Sequence, residues 1–321
     1  MKEIKISEIE GFRIGSDQDT AGGTGCTVII CKNGATAGVE VRGSAPATRE
    51  TDLLSPMNTV EKINAVILSG GSAFGLDAAG GVMKYLEENN IGFETGFGIV
   101  PIVCGASLFD LCVGNPKVRP DITMGYAACV NAMENAPQEG NCGAGTGATV
   151  GKLHGPDCMM KSGLGMYAAK IGRVKCGAVV AVNALGDVYD ADTGNQLAGI
   201  LNVDRDGMSN TEALMMDSMD QDLNAFSANT TLGCIISNAR LTKAQCTKLA
   251  AFTHNGYARV IKPVHTTADG DAVFVMAAEN VDAGLDGLGV LAAASRLRLL
   301  EGRCCRPSLH MGFLPREVSS K

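Results

Sequence analysis

The chain has 321 residues, 45 % of them hydrophobic and 19 % charged, and a formal net charge of −7 at pH 7. That length permits one large domain or two ordinary ones with a substantial core. The acidic balance, the lack of any lysine or arginine run, the 4 % aromatic content and the absence of Trp exclude a nucleic-acid partner recognised through a basic, aromatic face.

The amino terminus, MKEIKISEIEGFRIG, scatters its charges and has no apolar h-region, so no secretory signal is expected. The longest apolar runs, such as residues 63–71, are strand-sized and not membrane spans. A cytoplasmic protein with no membrane partner is the expectation. Branched apolar strings predict strands at 26–31 and 35–41, joined by a short turn at KNGA (32–35), and a further strand at 63–69. A helical pattern follows over 74–88, then a strand over 98–104 and a helix over 121–134. A strand over 176–183 runs into a second short turn, ALGD (184–187). Residues 203–229 are polar, acidic and dotted with Met, and by composition they form a surface loop. That loop leads directly into a strand over 230–237. A helix over 242–260 opens with Thr242-Lys-Ala-Gln245, a capping box in which hydroxyl and amide each satisfy an orphan amide. A strand over 272–277 and a helix from about 281 to 300 complete the order. Strand pairs beside long helices favour layered α/β sheets over a pure βαβ array.

Twelve Cys appear with no C-x-x-C pair, and the four His have no zinc spacing, so neither a metal nor a disulfide framework is expected. Most Cys lie in apolar strings and read as small buried hydrophobes, while Cys304 and Cys305 stand apart as candidates for oxidation. The string from Gly143 to Lys152 fails the P-loop spacing, because Thr146 stands where the first glycine is required and Leu153 cannot ligate magnesium. Residues 68–81 are not a nucleophile elbow, since Phe74 replaces the second glycine of G-x-S-x-G. Both strings read as tight turns near a site. His154, His254 and His265 lie in unrelated strings and read singly as surface or satisfied core residues. Asp187, Asp190 and Asp192 read as a solvated turn, whereas Asp269-Gly270-Asp271 places two carboxylates on one turn.

The strings TGCTVII (24–30), RGSAPATRETDLL (42–54), AVILSGGSAFGLDAAGGVMKYLE (65–87), GFGIVPIVCGASLFDL (96–111), GAGTGATVGKL (143–153), VVAVNALGDV (179–188), NTTLGCIISNARLTKAQ (229–245) and HTTADGDAVFVMA (265–277) resemble the DmpA-type L-aminopeptidase/D-esterase family. These self-processing hydrolases include the 6-aminohexanoate-oligomer hydrolases, and the resemblance runs from about residue 8 to about 303. It implies a single α/β domain over 1–321, an αββα sandwich like that of amino-terminal-nucleophile hydrolases. It also implies a precursor cut between Asn229 and Thr230 into an alpha subunit, 1–229, and a beta subunit, 230–321, and a homo-oligomer such as a tetramer of these units. Thr230 is the implied nucleophile; Tyr126, Lys152, Asn183, Asp269 and Asp271 are the other matching site positions. Many aminopeptidase members carry Gly-Ser at the junction and Ser at the first Asp position. Asn-Thr with Asp269 leans this chain toward the oligomer-amide branch.

The residue types suit that chemistry. A threonine hydroxyl needs a base, and a freed Thr230 brings its own α-amine, whose ordinary pKa is about 7.7–8.0. Asp269 and Asp271 are placed to orient that amine and Lys152. Asn183, with backbone amides, is a donor to an oxyanion, and Tyr126 a donor to oxyanion or substrate amine. The expected substrate is a small peptide, an amino-acid amide or ester, or a short amide oligomer, with no cofactor. An amine acyltransferase of the ornithine-acetyltransferase type and an unprocessed binding protein are the alternatives.

Overall fold

The computed structural model of the chain describes residues 1–220 and 229–299. Ten strands form one sheet: β1 (Lys2–Glu3), β2 (Phe12–Asp19), β3 (Thr24–Val41), β4 (Thr48–Arg49), β5 (Lys62–Ser69), β6 (Val103–Ser107), β7 (Leu164–Ile171), β8 (Val174–Asn183), β9 (Thr230–Ala239) and β10 (Ala272–Val281). Across the sheet the order is β1-β7-β8-β9-β10-β3-β5-β6-β4, and β2 pairs with β3. The helices are α1 (Ala78–Glu88), α2 (Ile122–Ala132), α3 (Thr211–Asp217), α4 (Lys243–Val260) and α5 (Leu285–Leu299).

The sheet folds over on itself through β3. Its first half pairs with β2 and its second half with β10, while β5 runs along the other edge. Residues 32–35 were expected as a hairpin turn. They lie instead within this one long strand, as an irregularity in the pairing with β5 between Ile30 and Ala35, and Gly34 takes φ +73° there. The extra residues of a bulge accommodate the same Asn-Gly chemistry as a turn, and they increase the local twist.

Alternation along the strands separates the layers. Cys26, Val28 and Ile30 of β3, Ala65 and Ile67 of β5 and Val103 of β6 pack under Ala78, Val82 and Leu86 of α1 and Ala128, Cys129 and Ala132 of α2. The intervening Ile29, Val66, Leu68, Cys104 and Ala106 point the other way, into a core shared with β7 to β10. There β9 meets β5 and β6 face to face, and α4 and α5 cover the far side of the second layer. The result is an αββα sandwich. All ten residues of β9 are buried, as a strand covered on both faces requires. On α4 the buried Cys246, Leu249, Ala250, Thr253, Tyr257 and Val260 recur at helical spacing. The Thr242–Gln245 capping box forms at its start.

Other expectations shift in detail. The helix expected from 74 begins as a 3-10 turn, Ser72–Asp77. ALGD does not join paired strands: it carries the chain from β8 into a small separate sheet in which Asp187–Tyr189 pairs with Gln196–Ala198 and Ile261–Lys262. Asp187, expected in a solvated turn, is fully buried and accepts hydrogen bonds from the Ile200 and Thr211 amides and the Thr211 hydroxyl. Within the expected loop 203–229, α3 forms with an Asn210 cap; residues 221–228 lie outside the described residues, as do Cys304, Cys305 and Leu300. Eight of the ten described Cys are buried, and Cys112 and Cys158 are half-buried.

Candidate active site

Three neighbouring strand ends create the site. β8 and β9 are antiparallel and β9 and β10 parallel, so the end of β8 lies beside the beginnings of β9 and β10. Asn183, the last residue of β8, is the direct register partner of Thr230, the first of β9. Asn229 forms a parallel bridge with Asp269, just ahead of β10.

The Asp-Gly-Asp turn presents its two carboxylates from a fixed frame. Asp269 Oδ2 accepts from the Thr266 amide at 2.7 Å and the Thr266 hydroxyl at 2.6 Å. Asp271 Oδ1 accepts from the Thr231 amide at 2.6 Å, and its Oδ2 from His265 Nδ1 at 2.7 Å. Both side chains are buried. Burial, then the negative Asp271 beside it, raises the Asp269 carboxyl from the ordinary 3.8 to about 6, against the lowering effect of the Thr266 hydrogen bonds.

Gly270 lies between them and touches the Asn229–Thr230 peptide. Its N–H donates to the Asn229 carbonyl oxygen at 2.8 Å. The Thr230 hydroxyl also donates to that carbonyl oxygen. A Cβ at position 270 would fall 2.8 Å from Thr230 Oγ1 and 2.6 Å from the Ala45 carbonyl oxygen, so the close approach requires glycine.

Lys152 enters from below the strand ends. Gly151 turns the chain there at φ +69°, where a Cβ would lie 2.0 Å from the Ile200 nitrogen. The Lys152 amide donates to the Leu185 carbonyl at 3.0 Å. Its side chain is fully buried, and Nζ donates to Asn183 Oδ1 at 2.5 Å and to the Asn183 carbonyl at 3.1 Å. Desolvation pushes the ammonium down from 10.5 to about 7, opposed by nearby Cys112, Asp269 and Asp110. The Asn183 amide is engaged at both ends, since Oδ1 also accepts from the Thr149 amide at 3.0 Å and Nδ2 donates to the Phe109 carbonyl at 2.9 Å. The Gly270 amide is thus a donor aimed at the Asn229 carbonyl.

Asn183, Lys152, Asn229, Thr230, Asp269 and Asp271 are thus brought together. Tyr126 is not among them. It lies on α2 in the outer layer, where its hydroxyl donates to Glu88 Oε2 at 2.8 Å and its ring meets Tyr85 edge-on. Helical packing against α1, not proximity to the strand ends, decides its place. Sequence reasoning missed Gly270, His265, Thr266 and the Phe109 carbonyl. It also missed Asp110, a buried carboxyl raised by desolvation that accepts from the Gly71 amide and the Thr24 hydroxyl, each at 2.7 Å. The signal for the first three was the string HTTADGDA, whose turn ties its own carboxylates.

Residues 5–300 match the model of peptidase family S58. The chain is 39 % identical over 287 residues to an uncharacterized aminopeptidase of Mycobacterium tuberculosis (strain ATCC 25618 / H37Rv), covering 85 % of this chain and 80 % of that protein. It is 29 % identical over 292 residues to a 6-aminohexanoate-oligomer endohydrolase of Kocuria sp. (strain KY2), covering 88 % and 77 %. Among solved structures, the L-aminopeptidase D-Ala-esterase/amidase of Ochrobactrum anthropi, a variant of the Ntn hydrolase fold, aligns with a TM-score of 0.68 at 16 % identity over 92 % of this chain and 84 % of that one. A beta-aminopeptidase of Burkholderia sp. aligns at 0.65 with 17 % identity over 94 % and 89 %. These two likenesses establish the fold.

Proposed function

The chain belongs to peptidase family S58 and is a hydrolase of amide bonds; on that premise we propose that it is a precursor that cuts itself between Asn229 and Thr230 and then works through an acyl-Thr230 intermediate. The observation that carries this reading is the Asn229 carbonyl oxygen held between the Gly270 amide at 2.8 Å and the Thr230 hydroxyl.

In the self-cut, Thr230 Oγ adds to the Asn229 carbonyl carbon, and the Gly270 N–H stabilises the charge that develops on the carbonyl oxygen. One such preorganised donor is worth roughly 3–4 kcal/mol. The carbon–nitrogen bond breaks, the proton lost by Oγ ends on the departing nitrogen, and an ester joins Asn229 to Thr230 Oγ. Water then adds to the ester, releasing the Asn229 carboxylate and the Thr230 hydroxyl. Lys152, brought to about 7 by burial, is the group suited to carry the proton near neutral pH. In turnover the new Thr230 amine takes the hydroxyl proton and returns it to the leaving amine, its proximity built into one residue. Asp269 and Asp271 orient that amine.

The substrates of this reading are short peptides, amino-acid amides or esters, or amide oligomers, since the relatives include both a named aminopeptidase and a 6-aminohexanoate-oligomer endohydrolase. Assembly into a homo-oligomer belongs to the same reading and is checked by sedimentation. Mass spectrometry of the purified protein is expected to find fragments of about 24 and 9.5 kDa, in proportion to 229 and 92 residues. Thr230→Ala is expected to stay at full length and to hydrolyse nothing, while keeping the wild-type circular dichroism. A full-length protein that still hydrolyses amides would refute the mechanism.

A further inference from the structure

His265 and His254 stand eleven residues apart in sequence on different elements, yet their rings meet edge-on with centroids 4.7 Å apart, and the Tyr257 ring lies 6.3 Å from His265. Both His254 and Tyr257 belong to α4, so the outer helix forms one wall around the His265 ring. On its other side the ring reaches the site, because Nδ1 lies 2.7 Å from Asp271 Oδ2. Facing a carboxylate, Nδ1 is the protonated nitrogen and donates. The His265 backbone amide points at the same oxygen, at 3.3 Å. His265 holds φ +59°, left-handed backbone that is unfavourable for a residue other than glycine. Such a conformation persists where its surroundings over-determine it. Here it turns main-chain and ring donors onto one carboxylate oxygen.

We infer that His265 is a positioning residue for the reaction at Thr230. Its Nδ1–H fixes the Asp271 carboxylate, whose other oxygen holds the Thr231 amide at 2.6 Å and so the backbone that carries the nucleophile. The relay runs from the α4 wall to His265, to Asp271, to Thr231, with Thr230 next in the chain. This assignment rests on the proposed reaction at Thr230. It differs from a core histidine that merely packs, because the hydrogen bond at Nδ1, and not the volume of the ring, is the part that acts.

The test compares wild type, His265→Ala and His265→Asn for the rate of self-cutting, for kcat and KM on an amino-acid p-nitroanilide, and for melting temperature. Asn accepts positive φ, and its amide nitrogen can occupy the place of Nδ1. His265→Ala is expected to lower kcat about 10- to 100-fold with KM changed less than about 3-fold, and His265→Asn to recover kcat to within about 3-fold of wild type. If His265→Ala does not fold, His265→Gln, whose amide reaches toward Nε2, replaces it, and the same gap to Asn is expected. Wild-type kcat in His265→Ala, or equal loss in Asn and in its partner variant, overturns the assignment while leaving the function reading intact. A wild-type protein that neither cuts itself nor turns over any amide overturns both.

Discussion

Gly270 donates its amide to the carbonyl oxygen of Asn229 at 2.8 Å, across the parallel bridge that Asn229 makes with Asp269. The Asp-Gly-Asp turn therefore contributes more than its carboxylates. Its central residue is the contact between β10 and the bond that precedes β9, and it has no side chain because Thr230 Oγ1 and the Ala45 carbonyl occupy that space.

Gly270→Ala is expected to slow self-cutting at least 10-fold, because the added methyl must push Thr230 Oγ1 or the Ala45 carbonyl away and lengthen the amide contact. Overpacking of this kind costs about 1–3 kcal/mol of stability. A time course of fragment appearance on denaturing gels reads the first effect and urea unfolding the second. Cutting at the wild-type rate would rule out the contact as part of the step.

Asn183→Ala removes a side-chain partner from three buried groups at once: the Lys152 ammonium, the Thr149 amide and the Phe109 carbonyl. A buried polar group left unsatisfied costs about 1–3 kcal/mol, and more if it is charged. The expected loss is about 2–4 kcal/mol in urea unfolding, together with a steep fall in turnover. A change below 1 kcal/mol would mean that the neighbours re-pair without Asn183.

Lys152 and Asp269 give stability opposite pH slopes in adjacent windows. Between about 7 and 10.5 the unfolded chain keeps the Lys152 proton that the folded chain has released, so stability rises with pH there and the contribution is lost as pH falls through 7. Between 3.8 and about 6 the folded chain holds the Asp269 proton that the unfolded chain has lost, so stability falls as pH rises through that window. In a Thr230→Ala background, Lys152→Met is expected to flatten the rise in melting temperature between pH 7 and 9. An unchanged slope in thermal scans would show that Lys152 keeps its ordinary proton affinity.

Tyr126→Phe is expected to leave kcat and KM within about 2-fold of wild type, because the hydroxyl it deletes is bound to Glu88 on the outer helices. Steady-state kinetics on the substrate used for wild type decides it. A loss of 10-fold or more would require Tyr126 to act on the site through a second conformation.

Legibility varied with the kind of signal each element carries. β9 and α4 were readable because one is an unbroken buried run and the other opens on a Thr-x-x-Gln cap, both local properties. β2, FRIGSDQD, was not, because its polar half hides a strand whose partner is fixed only by the fold of β3. The same Asn-Gly pair that signals a hairpin is absorbed by the irregularity in β3, and only the pairing partners on either edge decide between the two. At the site, Asp269 and Asp271 announce themselves as a local doublet. The burial of Lys152, by contrast, depends on a turn at Gly151 pressed against Ile200, a contact between segments far apart in sequence. His265 looked solitary for the same reason: its neighbours His254 and Tyr257 arrive from another element. Tyr126 was placed by resemblance alone, and the helix that carries it turns its hydroxyl toward a glutamate instead.

The strand order has a consequence for what a cut at Thr230 would produce. β9 and β10 both come after the junction, yet they are interior strands, threaded between β8 on one side and β3 on the other. The two pieces would be woven together and not docked edge to edge. Neither could diffuse away without tearing two ladders, so severing the bond would free an amine without loosening the body that holds it. Dilution should leave such a nicked protein whole, and the pieces should part only in denaturant.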